Sequence, residues 1–146
     1  MRIDGPLQDT TYRVIGAAMA VHNALGPGLK ERAYHHALSV ELEKAALSYE
    51  EEKPVEIFLD DVSVGLLYLD HVVEGEVVVE EKALSHMLTE EEVAQVITYL
   101  AATGLPVGVL LNFGRQRLQY RRILRPRKLD AWQERISRYV WKPRGA

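Results

Sequence analysis

The 146-residue sequence contains no cysteine, and this absence excludes several kinds of chemistry at once. Without thiols the chain forms no disulfide, builds no thiolate metal site and carries no cysteine nucleophile. The sequence also lacks a phosphate-binding P-loop, an HExxH zinc motif and a serine-nucleophile motif. Its five histidines show no zinc-ligand spacing, so we predict no metal role for them. A chain without thiols suits a reducing compartment, and we expect a cytoplasmic protein.

Long hydrophobic runs are missing as well. No apolar stretch approaches the roughly 20 residues that span a bilayer, so we expect no contact with a membrane. The composition is 47% hydrophobic and 27% charged, which is typical of a globular protein. The length suits one domain with a single sizeable core.

Charge is distributed unevenly along the chain, although the net charge is only −3. Residues 1–114 hold 7 Lys/Arg and 19 Asp/Glu, a balance of −12, whereas residues 115–146 hold 11 Lys/Arg and 2 Asp/Glu, a balance of +9. Such a basic segment attracts phosphate backbones, and the other interpretation is a solvated tail that pairs with the acidic body. The candidate contacts with nucleic acid are Arg115, Arg117, Arg121 and Arg122.

Hydrophobic periodicity predicts two helices, three strands, one helix, two strands and a last helix, in that order. The predicted helices are residues 11–25, 29–46, 88–104 and 129–141, and the predicted strands are residues 53–61, 62–73, 76–83, 105–114 and 117–124. This order indicates an α/β fold with a mixed central β-sheet flanked by helices. We predict one domain over residues 1–124 and a basic helical extension, residues 125–146, packed on the same domain.

Three charged side chains are predicted to meet where two of these strands adjoin. Asp70 lies near the end of the second strand, while Glu80 and Lys82 share one face of the third because they are two residues apart. If the strands pair as a hairpin, the two carboxylates repel each other unless a cation joins them, and a hard divalent ion resolves this. The alternative interpretation is a surface salt bridge on an edge strand.

Helical residues add to this group. Glu31 begins the second helix just after the GPG break, where it either joins the acidic cluster or only complements the helix dipole. Gln95 and Tyr99 lie one turn apart on the same face of the third helix. The simpler interpretation of this second pair is two polar groups at a helix boundary.

The segment LGPGLKERAY, with Gly28, Glu31 and Tyr34, resembles the signature of the GxxExxY family, which is placed in the PD-(D/E)xK nuclease-like superfamily. The similarity continues through LDHVVEGEVVVEEKA, QVITYL and GVLLNFG, and covers roughly residues 11–124. It implies a PD-(D/E)xK nuclease-like core of a mixed sheet flanked by helices. It also implies roles for six residues: metal ligands at Asp70, Glu80 and Glu31, a catalytic lysine at Lys82, and the QxxxY element of RecB-type exonucleases at Gln95 and Tyr99.

One position departs from the family pattern. An apolar residue usually separates the glutamate from the lysine, whereas this chain has Glu81 there. Because side chains alternate along a strand, Glu81 should point away from Glu80, toward His86 or a covering helix. A register slipped by one residue would exchange the two glutamates, but the adjacency of Glu81 to Lys82 fits such a site badly, and we retain Glu80.

These features support different functions. The first is a nuclease that uses Mg²⁺ or Mn²⁺ to hydrolyse phosphodiester bonds of DNA or RNA. The second is a catalytically inactive module for binding nucleic acid or protein, because a fold alone does not decide function. A third interpretation is that the basic helix forms a homodimer through Trp132, Tyr139 and Trp141, which are residue types typical of interfaces.

Overall fold

The computed structural model describes residues 8–126 as an α/β fold. Its elements are α1 (Gln8–Leu25), α2 (Glu31–Lys44), β1 (Tyr49–Leu59), β2 (Val62–Val73), β3 (Val77–Lys82), α3 (Glu90–Thr103), β4 (Val107–Asn112) and β5 (Gln119–Leu124). The predicted fold class and the predicted order of elements are confirmed as far as β5. The last predicted helix lies outside the described residues. None of the described helices combines the length and the apolar character needed to cross a membrane.

The five strands form one mixed sheet in the order β1-β2-β3-β4-β5. Only β3 and β4 run parallel, and the other neighbours are antiparallel. The parallel pairing sets Lys82 directly beside Asn112, so that the carboxyl ends of the two most buried strands meet at one end of the sheet. Strand β4 is buried along its whole length, whereas β5 is an edge strand with exposed residues.

Helices cover both faces of the sheet. On one face α1 and α2 bury the side chains of β3 and β4 that include Val79 and Leu111. On the other face α3 packs on Val78 and Leu110. Successive residues of β3 therefore enter two different environments, which is the expected consequence of strand alternation.

Helix α3 has the ends that the sequence predicts. The Thr89 hydroxyl accepts from the Glu92 amide, and the Glu92 carboxylate accepts from the Thr89 amide at 2.7 Å, which together form a capping box. The Thr89 hydroxyl also accepts a hydrogen bond from the Glu91 amide. Gly104 ends the helix with φ of 75°, in the left-handed region that glycine favours. Between these ends, Val96 and Leu100 pack on the sheet.

Strand β1 begins at Tyr49, four residues before the predicted start. The acidic residues of this first part pair with β2, with Glu50 opposite Val72 and Glu51 opposite His71. Because β1 is an edge strand, charged side chains can point to solvent while the backbone stays in the ladder. The hydrophobic pattern therefore did not reveal the first part of the strand.

Candidate functional site

The candidate site lies where the ladder between β2 and β3 ends. The last paired residues are His71 and Val79, and beyond them side chains replace the ladder bonds. The Asp70 amide donates to Glu80 Oε1 at 3.1 Å, and the Glu81 amide donates to Asp70 Oδ2 at 2.9 Å. The two predicted acids are thus brought into mutual contact by the backbone of two neighbouring strands.

Strand β2 is irregular at the point where these side-chain hydrogen bonds replace the ladder bonds. Leu69 and Val72 both pack in the cluster below α3, although they are three residues apart. Side-chain alternation in β2 is therefore interrupted next to Asp70. On the neighbouring strand β1, Glu52 has a positive φ of 48°, and it lies between Glu51 and Lys53, which both pair with β2. Such interruptions of the ladder are common next to active sites because they redirect a side chain.

Burial makes the two acids electrostatically costly when no cation is beside them. Burial and then the charge of Asp70 raise the pKa of Glu80 well above its ordinary value. Burial and then the charge of Glu81 raise the pKa of Asp70. Two close carboxylates with raised pKa values form an all-oxygen donor set, which fits a hard divalent ion such as Mg²⁺ or Mn²⁺.

Glu31 joins these acids from α2. Burial and the charge of Asp70 raise its pKa, while the charge of Lys82 opposes that change. Glu31 and Asp70 line one cavity of about 280 Å³, so the third predicted metal ligand opens to the same space as the first. Asp70 therefore links the three predicted ligands, because it shares this cavity with Glu31 and contacts Glu80 from the neighbouring strand.

The loop before α2 explains the spacing of the GxxExxY signature. Gly28 has φ of 108°, in the region that favours glycine. The Tyr34 hydroxyl donates to the Gly26 carbonyl at 2.6 Å and accepts from the Leu29 amide at 3.1 Å, while its ring stacks on Phe113 at 4.7 Å. The glycine and the tyrosine together fix the loop from which Glu31 starts the helix.

Lys82, Gln95 and Tyr99 lie on the α3 face. Lys82 Nζ donates to Gln95 Oε1 at 2.8 Å, and both residues line a cavity of about 310 Å³ with acidic residues of the first turn of α3. Burial and the charges of Glu80 and Asp70 raise the pKa of Tyr99, which places its phenol near both carboxylates. All six residues that the resemblance implied are thus near the carboxyl end of β3.

The four predicted arginine contacts do not form one patch. Arg115 and Arg117 line a surface cavity with Pro27 and Ser85, beside the end of β4. Arg121 lies farther along β5, and its guanidinium is 3.8 Å from the carboxylate of Glu90 in α3. Arg122 lies on the opposite face and lines a cavity with residues of α1. Arg115 and Arg117 follow the end of β4, whereas Arg121 is level with Glu80 in the strand register but separated from it by β4.

The structure also shows a cluster that the sequence did not predict. Glu81 points away from Glu80, as expected, and reaches α2 rather than His86. Its carboxylate contacts His35 Nδ1 at 2.8 Å and His71 Nδ1 at 3.0 Å, and His35, His71 and Glu81 are buried. The only hint in the sequence is position, since His35 follows Glu31 by one helical turn and His71 follows Asp70 directly. We call these three residues the histidine cluster.

Comparison with known proteins agrees with this geometry. Residues 8–123 match the sequence profile of a family described as the PD-(D/E)XK nuclease superfamily. The chain therefore belongs to the PD-(D/E)XK nuclease superfamily, whose nucleases use divalent metal ions. No curated protein and no solved structure matches the chain.

Proposed function

We propose that this protein is a nuclease of the GxxExxY type that hydrolyses phosphodiester bonds with Mg²⁺ or Mn²⁺ at Asp70, Glu80 and Glu31. The observation that carries the proposal lies at the end of the β2–β3 ladder, where the Asp70 amide donates to the Glu80 carboxylate and the Glu81 amide donates to the Asp70 carboxylate, with Lys82 on the same face of β3 as Glu80. Close buried carboxylates repel each other unless one is protonated or a cation joins them, and the superfamily supplies a reaction that uses a cation.

Each side chain has a role that follows from its surroundings. A bound divalent ion would lower the pKa of a water ligand and offset charge on a phosphoryl oxygen. Lys82, held by Gln95, would stabilise the negative charge that develops on the phosphate group. Tyr99, whose raised pKa keeps its phenol protonated, would donate a hydrogen bond near the carboxylates. Arg115 and Arg117 would bind backbone phosphates of the substrate beside the acids.

The test is metal-dependent cleavage by the full chain. The protein is incubated with single-stranded and double-stranded DNA and RNA, in Mg²⁺, in Mn²⁺ and in EDTA. We expect at least one substrate to be cleaved with either ion and none in EDTA. Lys82→Ala should lower the rate by about 10²–10³-fold, because a charge-stabilising group at the transition state is lost.

Lys44→Ala is the matched control. Lys44 lies at the far end of α2, its side chain is 70% exposed, and it pairs only with Glu41 at 3.0 Å among the ion pairs of the described residues. Its rate should equal that of the wild type. Cleavage that survives both EDTA and Lys82→Ala would overturn the proposal. Metal-independent binding without cleavage would instead support the inactive nucleic-acid-binding module.

A further inference from the structure

The histidine cluster is built from three elements on the face of β3 turned away from Glu80. Glu81 and His71 are fully buried and His35 is nearly so. One potential ligand atom from each residue lies within 4.8 Å of the other two. The two imidazole rings stack on each other, with centroids 4.3 Å apart and planes tilted by 27°.

Two imidazoles and one carboxylate are a ligand set for a borderline divalent ion such as Zn²⁺. Two ligands that are each about 2.1 Å from one ion in tetrahedral geometry are about 3.4 Å apart. The Nδ1 atoms of His35 and His71 lie 2.8 and 3.0 Å from the two oxygens of Glu81, so the three side chains would need to move apart by only about half an ångström to hold the ion. The donor atoms thus differ in kind from the all-oxygen set of Asp70, Glu80 and Glu31.

The opposite nitrogens of both rings are also held. His71 Nε2 lies 2.8 Å from Ser39 Oγ, and His35 Nε2 lies 3.5 Å from Glu51 Oε1. Ser39 in turn donates a hydrogen bond to Glu51. Histidines that bind a metal through one nitrogen usually have the other nitrogen held by a carboxylate or another polar group, which fixes the tautomer.

Access and charge favour an ion as well. His35 and Glu81 line the same cavity of about 280 Å³ as Glu31 and Asp70, so a hydrated ion has an entry path. Glu81 has no exposed surface, and an ionised carboxylate is costly to bury unless a cation or hydrogen-bond donors accompany it.

From these contacts we propose that His35, His71 and Glu81 form a second metal site, which binds Zn²⁺ or a similar borderline ion on the face of β3 turned away from Glu80, beside the cavity that Glu31 and Asp70 also line. Three ligands from the protein leave a coordination position open toward the cavity, as in zinc sites that hold a water. The ligands come from α2, β2 and β3, which is why no zinc spacing is present in the sequence.

The experiment measures zinc affinity directly. The full chain is stripped of metals, placed in excess Mg²⁺ to occupy the oxygen site, and titrated with Zn²⁺ against a chromophoric chelator. We expect one Zn²⁺ per chain. His35→Ala and His71→Ala should each lower the affinity by about 100-fold or more, since loss of an outer partner alone costs roughly 10–100-fold. Ser39→Ala, which removes such an outer partner, should lower it by about 10-fold.

His36→Ala is the matched control, because His36 is the exposed neighbour of His35 and donates no atom to the cluster. Its zinc affinity should equal that of the wild type. Far-UV circular dichroism checks that each variant is folded. X-ray absorption of the zinc-loaded wild-type protein supplies a measurement without any variant, and it should show two imidazole nitrogens with oxygen ligands.

Two results would overturn the proposal. One is that the wild type in excess Mg²⁺ takes up no Zn²⁺, and the other is that the zinc spectrum contains no imidazole. In either case the cluster is a metal-free network in which Glu81 accepts hydrogen bonds from both rings. Neither result depends on cleavage of nucleic acid, so this proposal and the nuclease proposal fail separately.

Discussion

Two neighbouring glutamates on β3 have the same side chain, and both are buried, yet their surroundings are opposite. Glu80 faces α3 and lies against a second carboxylate, Asp70, whose charge helps to raise its pKa. Glu81 faces α2 and lies between the imidazoles of His35 and His71. Alternation along one strand places the two groups on different faces of a sheet only one layer thick.

The difference shows that burial alone does not define a carboxylate's chemistry. A carboxylate beside another carboxylate is relieved by a proton or by a cation, and a pair of carboxylates favours a hard ion. A carboxylate beside two histidines has donors already present, and the nitrogens add affinity for a borderline ion. The comparison between the two faces can be tested by changing one glutamate at a time.

The largest expected effect is loss of cleavage in Glu80→Gln. The rate should fall by roughly 10³-fold, because a metal ligand that supports several kcal/mol of transition-state stabilisation is weakened. Zinc affinity in excess Mg²⁺ should stay within about twofold of wild type, since Glu80 donates no atom to the histidine cluster. Parallel cleavage and zinc titrations check both expectations. Equal loss of both properties would show that the two faces act as one site.

Replacing Glu80 or Glu81 by glutamine should change the free energy of unfolding in opposite directions. Without divalent ions, Glu81→Gln should lower the free energy of unfolding by about 3 kcal/mol, because removing one partner of a buried pair leaves the histidines uncompensated. Glu80→Gln should raise it by about 1 kcal/mol, because it removes one of two close carboxylates while its amide oxygen can still accept from Asp70. Urea denaturation in EDTA measures both changes. Changes of the same sign would contradict the contrast between the faces.

Zinc should stabilise the fold through the histidine cluster alone. At a free Zn²⁺ concentration about 100 times the dissociation constant, the free energy of unfolding should rise by about 2.7 kcal/mol. His71→Ala should remove this increment, whereas His36→Ala should retain it. Thermal denaturation in buffered zinc, with Mg²⁺ constant, provides the measurement. An increment that persists in His71→Ala would locate the zinc elsewhere.

The sequence predicted the order of elements because its signals are local. The capping box at Thr89 and the left-handed Gly104 bound α3 where the sequence indicates. Alternation also predicted that Glu80 and Lys82 share a face and that Glu81 does not. These inferences need only the neighbours of a residue along the chain.

What the sequence could not predict depends on tertiary packing. The Asp70 carboxylate accepts from the Glu81 amide because the β2–β3 ladder ends at His71 and Val79, and no residue pattern marks that end. The histidine cluster combines α2, β2 and β3, so its spacing along the chain has no zinc pattern. The arginines form a continuous basic segment in sequence, yet strand geometry sends Arg121 and Arg122 to opposite faces.

The smallest expected effect concerns the residue that positions Lys82 on the α3 face. In Gln95→Leu the ammonium loses the amide oxygen that it contacts at 2.8 Å, while a side chain of similar size remains. A hydrogen bond to a charged group contributes about 1.5–3 kcal/mol, and solvent access through the adjoining cavity should reduce the loss to a rate decrease of about 10-fold. Steady-state cleavage kinetics should show this decrease in kcat rather than in KM.

Thr98→Val is the control for that change, because Thr98 lines the same cavity and its hydroxyl donates only to the Ala94 carbonyl in its own helix. Its kcat should equal that of the wild type. Zinc affinity should be unchanged in both variants, since α3 contributes no ligand to the histidine cluster. If Gln95→Leu left kcat unchanged, the hydrogen bond from Lys82 to Gln95 would not be needed to position the lysine. The contrast between Glu80 and Glu81 would then rest on their neighbouring side chains alone.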